Sequence, residues 1–284
     1  MAPANRSRST TDGLARIQKE LVQFERQFGK RTLKPPQNLE LRLVQATAAN
    51  AEGDYSKALT ILPDPEAAPE STGGGLPNHL KSEVTLVRAD SHFGLHQWRE
   101  SLDLYRRLQG SQPARVDLLR SEIACQFALG MKSDAVSNCW TLMKTLERRA
   151  KANLDRGRVG PALVDLTEAR ELASQLALPG NSRDLVRDEV RILTTLSWIY
   201  SSSPDRTFRN TTSSKAYALK ACELSHEESI EALEALAAAY AEAHQLQEAV
   251  NTQKKAVGLA TGSSKQRLQE ALEQYIRAGN APQN

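Results

Sequence analysis

The chain has 284 residues, 40% of them hydrophobic but only 5% aromatic, and a formal net charge of +3. That length accommodates one elongated repeat array or two globular domains. The scarcity of aromatics argues against a β-sandwich, and so mild a charge does not by itself point to nucleic acid.

Residues 1–11 are small and polar and read as a disordered lead-in. From Asp12 to Phe28, Leu14, Ile17, Leu21, Phe24 and Phe28 form a stripe at helical spacing, closed by Gly29 and by Pro35-Pro36. This N-terminal helix and linker (12–36) is expected to pack on the first helical pair, although a coiled-coil arm or the end of another domain would give the same stripe. Asn38 is a suitable N-cap for a helix to Glu52. Gly53-Asp54-Tyr55 turns the chain, Ser56 opens a second helix, Ala58 packs inward and the aromatic closes the corner. Residues 63–78 hold four prolines and a glycine triplet and read as a flexible surface loop. The triplet lacks a preceding strand and a following Gly-Lys-Ser/Thr, so it is no phosphate loop.

A second helical pair runs from Leu80 to Leu108, with Val84, Ala89 and Phe93 on its first helix and Trp98, Ser101, Leu102 and Tyr105 on its second. A third begins near Pro113. Leu119, Ile123 and Phe127 line its first helix, Gly130 turns, and Ala135 begins the next. From Ser133 to Arg156 there is neither glycine nor proline. Either the turn here is very tight or two helices are fused, and fusion is the expectation. Gly157 and Gly160-Pro161 turn the chain into a helix with Ala162, Leu166, Ala169, Leu172 and Ala173, ended by Pro179-Gly180. Ser182 caps a strongly periodic helix carrying Val186, Val190, Leu193, Leu196, Ile199 and Tyr200. A loop from Ser201 to about Thr212 leads to a helix with Ala216, Leu219, Ala221, Cys222 and Leu224.

The clearest pair comes next. Leu233, Leu236, Ala237 and Tyr240 mark one helix face, His244-Gln245 turns, and Ala249, Val250, Ala256, Val257 and Leu259 mark the second helix. Small residues at Ala237, Ala249 and Ala256 let two backbones approach closely. A last helix, Ser263 to Ala278, has Leu268, Leu272, Tyr275 and Ile276 on one face and a polar opposite face suited to a solubilising cap, with 279–284 as a tail.

Leu236, Ala237, Tyr240, Ala249 and Ala256 fit the fixed offsets of a tetratricopeptide repeat, a helix-turn-helix of about 34 residues. Leu233 replaces the usual Trp, Gln253 stands where an aromatic is common, and Thr261 where Pro is common. The Gly53-Asp54-Tyr55 turn is similar to that family's inter-helix turn, and the chain over 38–278 resembles divergent bacterial tetratricopeptide proteins. The resemblance implies an all-α fold: a right-handed α–α superhelix, a solenoid of about six helical hairpins plus a C-terminal capping helix.

No catalytic constellation emerges. His92 and His96 are four apart, but Gly94 lies between them and His96 falls at a turn, so groove or turn histidines are expected rather than zinc ligands. Cys125, Cys139 and Cys222 form no CxxC pair, suit buried small hydrophobes, and point to a reduced, cytoplasmic compartment. No nucleophile elbow is present. No cofactor or metal is expected, no stretch approaches the roughly 20 apolar residues that span a bilayer, and no signal peptide is apparent. Between Ala221 and Val250 there are seven glutamates and no lysine or arginine, whereas Arg148, Arg149, Lys151, Arg156 and Arg158 form a basic cluster.

The resemblance implies a non-enzymatic scaffold or adaptor that binds a peptide or protein surface along the concave face. Carried over residue by residue, its groove positions fall on Leu43 and Thr47, Leu86 and Asp90, then Arg120, Ala124 and Phe127. They continue at Arg148 and Lys151, at Arg191, Thr194 and Trp198, and at Glu234 and Glu242. Trp198 is either a binding anchor or a structural Trp. The positions where carboxylate-clamp members carry Asn hold Thr47, Asp90, Ala124, Lys151, Trp198 and Ala238, which argues against a chaperone-tail clamp. A regulatory or substrate-docking region of a larger enzyme system, such as a kinase or protease, is the alternative. Nucleic-acid binding through Arg148–Arg158 is disfavoured by the acidic C-terminal half.

Overall fold

The computed structural model describes residues 37–62, 78–111, 115–176 and 183–280. The expected N-terminal helix, the loop over 63–77, Pro113, Pro179-Gly180 and the Ser182 cap lie outside these residues. Among the described residues there are twelve α-helices and no strand: α1 (Gln37–Glu52), α2 (Tyr55–Ile61), α3 (Asn78–Gly94), α4 (Trp98–Ser111), α5 (Val116–Ala128), α6 (Lys132–Leu154), α7 (Val159–Leu176), α8 (Arg183–Ser202), α9 (Thr211–Leu224), α10 (Ile230–Glu242), α11 (Leu246–Leu259) and α12 (Gly262–Asn280). The fold is all-α and built from repeated helical hairpins. The chain divides into two compact units, Met1–Asn138 and Cys139–Asn284.

One register recurs. Five hairpin turns each have a residue in the left-handed region, at Gly53 (φ 85°), His96 (60°), Gly130 (74°), Gly157 (70°) and His244 (57°). In all five the next N–H reaches back across the turn to the same relative carbonyl, as when Gln245 N donates to the Tyr240 carbonyl at 2.9 Å and Asp54 N to the Ala49 carbonyl at 2.8 Å. This closure satisfies carbonyls that the helix end leaves open. Five residues later comes a side chain with no exposure at all: Ala58, Ser101, Ala135, Ala162 and Ala249. Twelve residues before each stands a second buried residue: Ala46, Ala89, Ile123, Ala150 and Ala237.

In the first unit, Leu43, Ala46, Ala49, Ala58, Leu62, Leu80 and Val84 form one core, and Ala89, Leu102, Tyr105, Leu108, Leu118 and Cys125 another. Tyr105 is fully buried, and its hydroxyl donates to Asp90 at 2.5 Å. In the second unit, Val190, Leu193, Ala218, Ala221, Cys222, Ala232, Leu233, Leu236, Ala256 and Leu268 cluster, with Trp198, Tyr217 and Tyr240 packed on them.

The expected fusion holds from Ser133 to Leu154, while Asp155 and Arg156 belong to the turn that follows. α6 is one 23-residue helix, and Ala135 and Ala150 both serve the register from it. Four expectations are corrected. Asn38 lies inside α1, which begins at Gln37. Gly160 and Pro161 lie in the first turn of α7, where the missing proline N–H has no intrahelical partner to lose. The Ser201–Thr212 loop is shorter, because α8 runs to Ser202 and α9 starts at Thr211 on an Asn210 cap. Finally, α9 buries Ser214, Ala218, Ala221 and Cys222, leaving Ala216 and Leu219 exposed.

Candidate functional site

On α5 the buried face is continuous, and the exposed residues Asp117, Arg120, Ala124 and Phe127 recur every three or four positions. They make a single stripe. Phe127 is 52% exposed. Three of the sequence-predicted positions, Arg120, Ala124 and Phe127, therefore share one face of one helix in the first unit.

In the second unit, Arg148 and Lys151 are exposed on α6. Arg148 reaches the Thr145 hydroxyl at 3.4 Å. Arg149 is tied to α7 by a two-pronged bond to Asp165, at 2.6 and 2.8 Å, and Asn153 donates to the same carboxylate at 3.5 Å. The basic cluster is thus one guanidinium poorer than its sequence suggests. Arg191 of α8 donates to Glu147 of α6 at 2.8 Å and to Asp188 at 2.8 Å, while Lys144 meets Asp188 at 2.5 Å. Burial works against the Arg191 charge, but Glu147 and Asp188 outweigh it and hold its pKa above the ordinary value. Thr194 is 7% exposed and its hydroxyl donates to the Val190 carbonyl, so it faces the core. Trp198 is half-buried against the core cluster. Glu234 is ion-paired with Arg267 of α12, and Glu242 is exposed.

In the first unit, Leu43 is buried, Thr47 donates to the Leu43 carbonyl at 2.7 Å, and Asp90 accepts from Tyr105. The three cysteines are buried. Burial raises all three thiols, Cys222 up to about 11 with Glu227 adding to the effect, so none is primed as a thiolate. His92 pairs with the Gln97 side chain at 2.5 Å, and no group of metal-ligating side chains occurs among the described residues.

A second feature of the first unit is not apparent from the sequence motifs. Arg106 of α4, Glu122 and Gln126 of α5, and Asp134, Ser137 and Asn138 of α6 line a polar cleft of about 220 Å³. Glu122 is 5% and Gln126 2% exposed. The Asn138 amide donates to Glu122 Oε2 and to Gln126 Oε1, both at 3.2 Å. The other Glu122 oxygen, Oε1, has no hydrogen-bond partner. Arg106 and Asp134 face each other at 3.6 Å and are both about half exposed. Burial raises the Glu122 pKa, opposed by the Arg106 charge and the Asn138 bond. A signal was present. Counted back from the buried alanine, Glu122 and Gln126 stand at the same offsets from Ala135 as Leu236 and Tyr240 do from Ala249. Polar groups occupy two positions that are apolar in the clearest hairpin.

That common register, met in five hairpins with the same turn geometry, is decisive for the architecture. The chain is tetratricopeptide-like. No family model matches it, and no curated protein matches it. Among solved structures, the TPR-like chain is similar to yeast Tom70, at 14% identity and a TM-score of 0.38, over 94% of this chain and 60% of that one. It is also similar to TTC0263, a thermophilic TPR protein of Thermus thermophilus, at 16% identity and 0.28, over 84% and 98%. A third is a tetratricopeptide repeat protein from Parabacteroides merdae, at 14% and 0.34, over 84% and 99%. The chain thus spans less than two thirds of the Tom70 chain's length. No helix among the described residues is long and apolar enough to cross a membrane.

Proposed function

We propose that this protein is a non-enzymatic scaffold or adaptor that binds a protein or peptide partner through exposed faces of its helices. The observation that carries this reading is the α5 stripe. Arg120, Ala124 and Phe127 leave a half-exposed aromatic beside a cation on a rigid helix, the residue types that dominate binding at protein interfaces. Arg148 and Lys151 on α6 supply a cationic contact surface in the second unit, whereas Arg191 on α8 is a secondary contact, already answered by Glu147 and Asp188. Trp198 contributes more to the core than to a partner, and Thr194 supports the α8 backbone. Glu234 and Glu242 are secondary contacts, since Glu234 already answers Arg267.

The test is affinity enrichment from native lysate with and without nuclease, followed by direct binding of the recovered partner. Phe127→Ala should weaken that partner about tenfold or more, with helical circular dichroism unchanged. The double variant Arg148→Ala/Lys151→Ala should lower the association rate and its salt dependence. Unchanged affinity in both would end the assignment of these faces. Recovery only of nuclease-sensitive material would favour the basic cluster as a nucleic-acid contact.

A further inference from the structure

We infer that the edge of the second unit where Arg156 and Arg158 meet Arg206 and Arg209 binds single-stranded nucleic acid. The inference concerns other residues than Phe127, Arg148 and Lys151 and stands apart from the scaffold reading.

The first ground is a meeting of two distant segments. Arg156 and Arg158 lie in the turn between α6 and α7, and Arg206 and Arg209 in the loop between α8 and α9. A Cβ built on Gly160 would stand 3.6 Å from the Phe208 ring, so the loop lies against the start of α7. Phe208 falls between Arg206 and Arg209, and Gly160 follows closely on Arg158, which brings both pairs of arginines to one edge.

The second ground is charge. All four arginines are exposed, and among the described residues none of them is ion-paired. Arg209 donates to the Ser203 carbonyl at 2.7 Å. No carboxylate occurs from Arg156 to Val164 or from Arg206 to Cys222. Asp155 and Asp205 are the neighbours in sequence, and Asp205 already accepts from the Thr207 N–H and hydroxyl, at 2.9 and 2.7 Å. Four guanidiniums against two carboxylates leave an excess of two positive charges. The fold also sets this edge apart from the acidic run. Glu223 is at the far end of α9, about 18 Å along the helix from Thr211. Glu242 and Glu248 belong to the next turn, which Lys215 of α9 meets with a cation of its own, donating to Gln245 at 3.2 Å.

The third ground is the kind of donor. The edge uses arginine, whose planar fork matches phosphate oxygens in pairs. Half-exposed Phe208 offers a ring for an unpaired base, and the exposed Thr211 and Thr212 add hydroxyl donors for phosphate. A duplex keeps its bases stacked away from such a ring, and an acidic peptide leaves the ring unused.

The test is fluorescence anisotropy of the full chain with a fluorescein-labelled oligothymidine of about 15 nucleotides, at several salt concentrations. Four phosphate contacts predict a slope of log affinity against log salt of about −3. Arg206→Ala should reduce that slope by about 0.7, and Arg156→Ala/Arg158→Ala by about 1.4, with weaker binding in both. Phe208→Leu keeps an apolar side chain on Gly160 and should weaken the strand about fivefold or more. Arg148→Ala/Lys151→Ala should leave it unchanged, which separates this edge from the surface assigned to a protein partner. Helical circular dichroism checks that each variant is folded. Absence of binding at low salt, or an unchanged slope in the folded arginine variants, would overturn the assignment. Equal competition by polyglutamate, or equal binding of the matching duplex, would overturn it too, since charge alone would then account for the affinity.

Discussion

Ser214 of α9 donates its hydroxyl to the Ser197 carbonyl of α8 at 3.0 Å, and Ser101 of α4 makes the same bond to Ala89 of α3, also at 3.0 Å. The two pairs are 17 and 12 residues apart in sequence. The difference of five residues sits in the longer α8–α9 connection, which leaves the helix contact in register. All four residues are fully buried. Replacing Ser214 by Ala should cost about 1 kcal/mol, the net worth of such a bond. Ser214→Val should cost about 1–3 kcal/mol more, because the extra methyl overpacks a close helix approach. Urea melts of the two variants check the order. A Val variant no worse than Ala would mean that the contact is loose.

Histidine occupies the left-handed position at the end of α10, as His96 does after α3, where the other three hairpins of this register use glycine. His244 has φ 57° and is exposed. A non-glycine residue there costs about 1–2 kcal/mol of backbone strain, offset in part by the greater freedom glycine has when unfolded. His244→Gly should therefore raise stability by about 0.5–1 kcal/mol, and His244→Val should lower it. Thermal melts of the pair, compared with wild type, give the sign directly.

Gly94 lies under the ring of Tyr55. A Cβ added there would sit 2.4 Å from the Tyr55 ring carbons, far inside contact distance. Alanine normally outperforms glycine in a helix, yet Gly94→Ala should destabilise the first unit by about 1–3 kcal/mol through overpacking. Tyr55→Leu in the same chain should restore part of the loss, and a double-mutant cycle measures the coupling. Additive effects would show that the ring moves aside without cost.

Glu122 makes stability depend on pH in a direction opposite to that of most paired carboxylates. Its pKa is raised, chiefly by burial, with Arg106 on α4 and the Asn138 bond pulling the other way. Asp134 faces it from α6, and Cys125 lies beside it on α5. Between the ordinary glutamate value of 4.5 and the higher native one, the folded chain keeps a proton that the unfolded chain has lost. Stability from this group therefore falls as pH rises through that window. Glu122→Gln should flatten that part of the profile, read from urea midpoints at several pH values from 4.5 upwards. Glu189 in the second unit is raised by burial in the same way and should keep its own contribution in the variant.

The hairpins were legible because helix packing leaves a narrow choice at close approach. Ala58, Ser101, Ala135, Ala162 and Ala249 were visible as small residues just past a turn, and all are buried. The fused α6 was legible because nothing from Ser133 to Arg156 breaks a helix. Boundaries were harder. Gly160-Pro161 looks like a break, but the first turn of a helix asks little of its N–H groups, so α7 starts ahead of it. Ala216 and Leu219 look like a core face, yet Ser214 and Ala218 are buried in their place, because the hydroxyl of Ser214 finds a carbonyl partner. The groove positions carried over from the resemblance gave identity without environment. Nothing in the sequence tells that Thr194 is turned inward, or that Arg149 is bound to Asp165. The cleft was missed because Glu122 and Gln126 are ordinary helix-surface residues until their offset from Ala135 is counted.

Gln253 is fully buried and donates to the Leu268 carbonyl of α12 at 3.0 Å. It occupies the position at which the second hairpin places Tyr105. An aromatic there would be a general adhesive for any apolar surface. An amide is selective, since it asks for an acceptor at one height along the neighbouring helix. The Gln253 amide therefore pins α11 to α12 at one height through a backbone acceptor, an anchor that no side-chain substitution at Leu268 takes away.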